Sequence, residues 1–134
     1  MKYQHYKSDF SSVHRFFRQD GDTNNQVAVP GHVRLRFFTE ERLNVFVAER
    51  DGDQMTGCSL SEDGMTLTAS VPLSRICLGK GELFCEIAEI TPDQDFPEQE
   101  RIEVTPIRLG VTLWPGKSDD SLDVSVGTVL GVIC

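Results

Sequence analysis

Apolar and polar residues alternate with a period of two along most of this chain, the spacing of strands that bury one face. Val33, Leu35 and Phe37 alternate with Arg34, Arg36 and Phe38, and Val45 and Val47 with Phe46 and Ala48. Met65, Leu67, Ala69 and Val71 alternate with Thr66, Thr68 and Ser70, the clearest one-sided pattern in the chain. Leu83, Cys85 and Ile87 follow with apolar Phe84 and Ala88 on the other face. Ile107, Leu109, Val111 and Leu113, then Leu122, Val124 and Val126, complete the series, and the stretch around Phe10, Val13, Phe16 and Phe17 reads as a less regular strand with a bulge. The expected core is Val33, Leu35, Phe37, Val45, Val47, Leu67, Ala69, Val71, Leu83, Cys85, Ile87, Leu109, Val111 and Leu113.

Turn chemistry separates these runs. Pro30-Gly31 suits a type II turn, Asp51-Gly52 a hairpin tip, and Asp63-Gly64 and Gly79-Lys80-Gly81 each precede an apolar run. Such punctuation, without helical periods between strands, predicts an antiparallel sandwich or barrel rather than βαβ units. One short segment, 72–78, fits a single helical turn crossing between sheets, so helix content is expected to be low. Pro92 and Pro97 bracket a polar loop, and Pro106 implies a break or an edge position within an otherwise apolar run.

At 134 residues the chain has room for one core, and residues 1–134 are read as a single domain in which residues 1–8 are flexible. Its 39% hydrophobic and 25% charged residues are those of a folded globular chain. The formal charge of −8 argues against a nucleic-acid groove or a polybasic membrane surface. Residues 1–50 hold 8 Lys/Arg against 6 Asp/Glu, a balance of +2, which leaves −10 for residues 51–134. Glu89, Asp93, Asp95, Glu98, Glu100 and Glu103 form the densest acidic stretch. No apolar run is long enough for a membrane-spanning helix, and the N-terminal MKYQHYKSDF lacks the apolar segment of a secretory signal. With no CxxC pairing, Cys58, Cys77, Cys85 and Cys134 are expected to be free thiols, the alternative being a Cys58–Cys85 bridge between sheets.

Catalytic and metal chemistry find little purchase. His5, His14 and His32 lack the spacing that sets two ligands on one face, and Asp93 with Asp95, or Asp119, Asp120 and Asp123, offer oxygen-rich loops without a calcium-loop pattern. A Cys58–His32 dyad has no motif behind it, Gly79-Lys80-Gly81 is too short to cradle phosphates, and Glu86 and Glu89, three apart on a strand, face opposite ways. No catalytic, cofactor-binding or metal-binding residue is assigned and no cofactor is expected. Trp114 and Phe96 are the candidate rings for stacking a sugar, although Trp114 also suits the end of a core.

The order of features resembles a group of small prophage proteins from gut Bacteroides-type bacteria, and the immunoglobulin-like N-terminal domain of phage baseplate upper proteins. The resemblance rests on Tyr6-Lys7-Ser8-Asp9-Phe10, the run from Val33 to Thr39, residues 44–50 with Asp51-Gly52, Gly57-Cys58-Ser59-Leu60, Asp63-Gly64, the run from Leu78 to Leu83, and Gly110-Val111-Thr112-Leu113-Trp114. It implies an all-β, immunoglobulin-like antiparallel β-sandwich of about seven to nine strands. It also implies a non-enzymatic structural role in a (pro)phage tail or baseplate, through self-association or contact with other tail proteins. The expected location is the bacterial host cytoplasm during assembly and the virion afterwards. A carbohydrate-binding or adhesion module is the alternative. Residues 127–134 are expected to form a last strand or an assembly tail, with Val129, Leu130, Val132 and Ile133 as the candidate interface.

Overall fold

Among the described residues the two-residue periodicity resolves into strands. The computed structural model describes residues 2–7, 13–73, 76, 78–96, 98–115 and 128–132, with side chains described for these except at 2, 4–7, 114–115 and 128–132. The strands are β1 (Lys2–Lys7), β2 (Val13–Gln19), β3 (Gln26–Val27), β4 (His32–Thr39), β5 (Phe46–Asp51), β6 (Gln54–Thr56), β7 (Cys58–Leu60), β8 (Thr66–Ser70), β9 (Gly81–Pro92), β10 (Glu100–Pro115) and β11 (Thr128–Val132). There is no helix among the described residues. Within the 72–78 segment, the N–H of Ile76 donates to the carbonyl of Pro72, the spacing of one helical turn.

The strands form two sheets packed face to face. One runs β1-β2-β8-β7, with β3 also paired to β2, and the other runs β11-β10-β9-β4-β5-β6. Every pairing is antiparallel except β10 with β11, which is parallel. Labelled A to G in chain order, β1-β2-β8-β7 is the A-B-E-D sheet, and β10-β9-β4-β5-β6 is the G-F-C-C′-C″ sheet of the variable-type immunoglobulin arrangement. The fold is therefore an immunoglobulin-like β-sandwich, as expected, with β3 and β11 as additions. The cross-sheet disulfide common in that architecture has no counterpart, because β2 carries no cysteine and Cys85 of β9 is a free thiol.

The core lies where the inner faces meet. Phe37 is its hub: its ring lies 6.0 Å from those of His14 and Phe46 and 6.3 Å from that of Phe16. Val33, Leu35, Leu67, Ala69, Val71, Leu83, Cys85, Ile87, Leu109, Val111 and Leu113 are buried around it, as their alternation predicts. Val45 and Val47 correct the expected core, since Val45 is only partly buried and outside the core cluster and Val47 is 40% exposed, while Ala48 is fully buried and Phe46 packs against the core. Residues 45–48 are apolar on both faces, so alternation cannot choose the phase. Pairing with β4 does so, by setting Ala48 opposite buried Leu35 and Val47 opposite Arg36.

Three further features differ from, or sharpen, the sequence reading. Residues 2–7, read as flexible, form β1, which pairs with β2 along its whole length. Pro106 does not break its strand, because the ladder from Glu100 to Arg108 against β9 passes through it without interruption. The break falls at Arg108–Thr112, where four residue steps of β10 oppose two of β9 (Phe84 to Glu82), and Gly110 adopts φ 72° there. Gly57, where the chain crosses from β6 of one sheet to β7 of the other, has φ 72° and lies so close to β5 that an added Cβ would sit 2.9 Å from Phe46 Cζ.

Candidate interaction surface

The bulge and the long β9–β10 hairpin shape the outer face of the second sheet. Odd-numbered residues of β10 face inward, with Leu109, Val111 and Leu113 buried, so even-numbered residues face out. Register then builds rows across the face. One runs Val104, Ala88, Arg34, Glu49; the next runs Pro106, Glu86, Arg36, Val47; a third runs Arg108, Phe84, Phe38. The β10 side of this face is apolar and open: Ile102 is 52% and Val104 53% exposed. The β4–β5 side is charged and self-neutralised. Glu49 accepts from His32 Nε2 at 2.7 Å and Arg34 at 3.3 Å, and Arg36 lies 3.7 Å from Glu86. The hydrogen bond to His32 is the main reason the Glu49 carboxyl sits below its ordinary range.

Beside the bulge lies an open groove of about 530 Å³ lined by Phe38, Arg42, Phe84, Glu86, Pro106 and Arg108. The Phe38 and Phe84 rings are 6.0 Å apart, and the Arg42 guanidinium stacks 4.1 Å from the centre of Phe38. Arg108 donates two hydrogen bonds to Glu82, at 3.1 and 2.9 Å.

The edge of β10 is as notable as its face. β11 pairs with residues 111–115 of β10, and among the described residues no strand pairs with the remaining edge from Glu100 to Gly110. Pro106 has no N–H, yet the ladder to β9 continues through it. The main-chain groups of residue 106, and of 102, 104 and 108 in phase with it, therefore point away from β9 and toward the free edge.

The residues singled out by sequence fall in several places. Phe96 is 44% exposed in the β9–β10 turn, where Asp93 accepts from the Asp95 N–H and shapes the loop. Trp114 sits in β10 opposite Gly131 of β11. Val129, Leu130 and Val132 lie on β11, an outer strand of the sheet, while Ile133, Cys77, Cys134, Asp119, Asp120 and Asp123 lie outside the described residues. Among the described residues no three His, Cys, Asp or Glu side chains are placed to hold a metal ion.

Nor do the candidate nucleophile and bases converge. His14 is buried in the core and His32 lies on the outer face of the second sheet. Cys58 is half-buried in the other sheet, and Ala69 stands between it and His14 in the strand register. Burial raises the thiol pKa values of both Cys58 and Cys85, the opposite of an activated nucleophile. Both are free, so the bridge between them is not formed.

One cluster escaped sequence reading. Glu89 continues the inward phase of Leu83, Cys85 and Ile87 and is only 8% exposed. Its Oε2 accepts from Tyr3 Oη at 2.5 Å and Arg18 Nε at 2.8 Å, tying β1 and β2 of one sheet to β9 of the other. The signal lay in the alternation, but Glu89 also opens the acidic stretch and reads there as solvated.

Comparison with protein-family models, with curated proteins and with solved structures finds no match to this chain.

Proposed function

We propose that this chain is a non-enzymatic structural module that assembles through protein–protein contacts made by the β9–β10 hairpin. One observation carries the reading: Ile102 and Val104 stand half-exposed, side by side, on a strand whose main-chain edge is open among the described residues. A side chain of that kind exposed on an unpaired edge invites a partner strand, and proteins without a partner usually blunt such edges. The resemblance to phage baseplate and prophage proteins supports a tail or baseplate setting, with further copies or other tail proteins as partners. A sugar-stacking role has less support, since Phe96 is a single ring on a turn.

The test is native size-exclusion of the chain in extract of its own cells. The wild type is expected to elute well above its 15.0 kDa mass. The I102K/V104K double variant is expected to shift to the monomer position while its melting temperature changes by no more than about 2–4 °C, as for surface changes. Monomeric elution of the wild type contradicts the proposal.

A further inference from the structure

We infer that the free edge of β10 pairs antiparallel with the same edge of a second copy, about a twofold axis at Val104. This rests on the reading above and names its partner. The segment from Glu100 to Arg108 is regular, extended and in unbroken register with β9, so it offers a straight template. A twofold axis requires residue i of one chain to face residue j of the other and the reverse. Centring on Val104 opposes Val104 to Val104, Ile102 to Pro106, and Glu100 to Arg108, all on the outer face. On the inner face it opposes Glu103 to Thr105 and Arg101 to Ile107. Charge thus meets opposite charge at both ends and apolar meets apolar in the middle, with no like-charged pair directly opposed. Centring one residue earlier, on Glu103, would set two carboxylates face to face, a destabilising pair.

The main-chain phase agrees. The N–H groups of Ile102, Val104 and Arg108 face the edge, so the pairs through Val104 are the hydrogen-bonded ones. Pro106 forfeits one bond in each half, and this limits how far the ladder runs toward the bulge. Beyond the bulge β11 already occupies the edge, so the second copy would continue the same side of the sheet where β11 ends.

The experiment reads register and mass together in the purified chain. In the inferred dimer the Val104 Cα atoms lie about 5.5 Å apart, within disulfide reach. The Arg101 Cα atoms lie six residues out of register, roughly 20 Å apart. Under mild oxidation V104C is expected to give a dimer band on a non-reducing gel, while R101C and the wild type give none. Light scattering is expected to give twice 15.0 kDa for the wild type. V104P removes only an edge-facing N–H and keeps the ladder to β9; it is expected to restore the monomer with an unchanged β-type circular dichroism spectrum. Equal cross-linking of R101C and V104C, or a folded V104P that stays dimeric, overturns the inference. A purified wild type that remains monomeric while extract elution stays high overturns pairing with a second copy but leaves assembly with another protein standing.

Discussion

Glu89 shows how a single side chain joins the two sheets. Its carboxylate receives the Tyr3 hydroxyl and the Arg18 guanidinium in a site that is mostly shielded from water. Removing one member strands the others, so E89Q is expected to lower unfolding free energy by roughly 2 kcal/mol, less than a fully buried pair because Arg18 keeps some solvent contact. Denaturant titration measures it, and an E89Q loss below about 0.5 kcal/mol would make the cluster a surface feature. Burial first, and then the bond to Glu89, raise the pKa of Tyr3 above its unfolded value. The folded chain therefore keeps this proton where the unfolded chain releases it. The contribution is complete below the ordinary tyrosine range and declines as pH rises above about 10. Titration of stability across that range is expected to fall less steeply for Y3F than for the wild type. At this scale the sequence was only half legible. Alternation alone aims Glu89 inward, but nothing in the spacing reveals that Tyr3 and Arg18, more than 70 positions away, reach it.

Strands were legible wherever one face was apolar and the other polar, as in Leu67, Ala69 and Val71 against Thr66, Thr68 and Ser70. They were ambiguous where both faces were apolar, and there pairing rather than pattern set the phase, as at Val47 and Ala48. β1 had no such pattern at all. It is a strand because β2 supplies a complete antiparallel ladder, information held in another segment. Two glycines test the account of how elements turn. At Gly57 a Cβ would meet the Phe46 ring and Ala48, and φ is left-handed. G57A is therefore expected to cost about 2 kcal/mol or more, from strain and overpacking together. At Gly110 φ is also left-handed but nothing lies within 4 Å, so G110A is expected to cost only the backbone strain, about 1 kcal/mol. Thermal or denaturant unfolding of the two variants checks the order, and a G110A cost equal to or above that of G57A would contradict it.

For the molecule as a whole, composition and turn spacing pointed to an antiparallel sandwich, but strand order was beyond them. The immunoglobulin-like order depends on which distant strands pair, β2 with β8 and β4 with β9, and local pattern does not encode that choice. The Ile102 and Val104 surface was likewise hidden, because these residues lie between the acidic stretch and Pro106, and the alternation marks an apolar strand face only from Ile107 onward. They are exposed because they lie on the outer face of the sheet, which the opposite sheet does not cover. The acidic stretch around them contributes Glu100 and Glu103, whose placement along the edge selects one register over its neighbour.

Amide hydrogen exchange resolved by residue tests the central claim most directly, because the two edges of β10 carry alternate N–H groups. The amides of Glu103, Thr105 and Ile107 point at β9 and are expected to be protected at every protein concentration. Those of Ile102 and Val104 are expected to exchange freely in dilute solution and become protected as concentration rises through the dimerisation range. Amides of Ile102 and Val104 that exchange freely at all concentrations would contradict strand pairing at this edge.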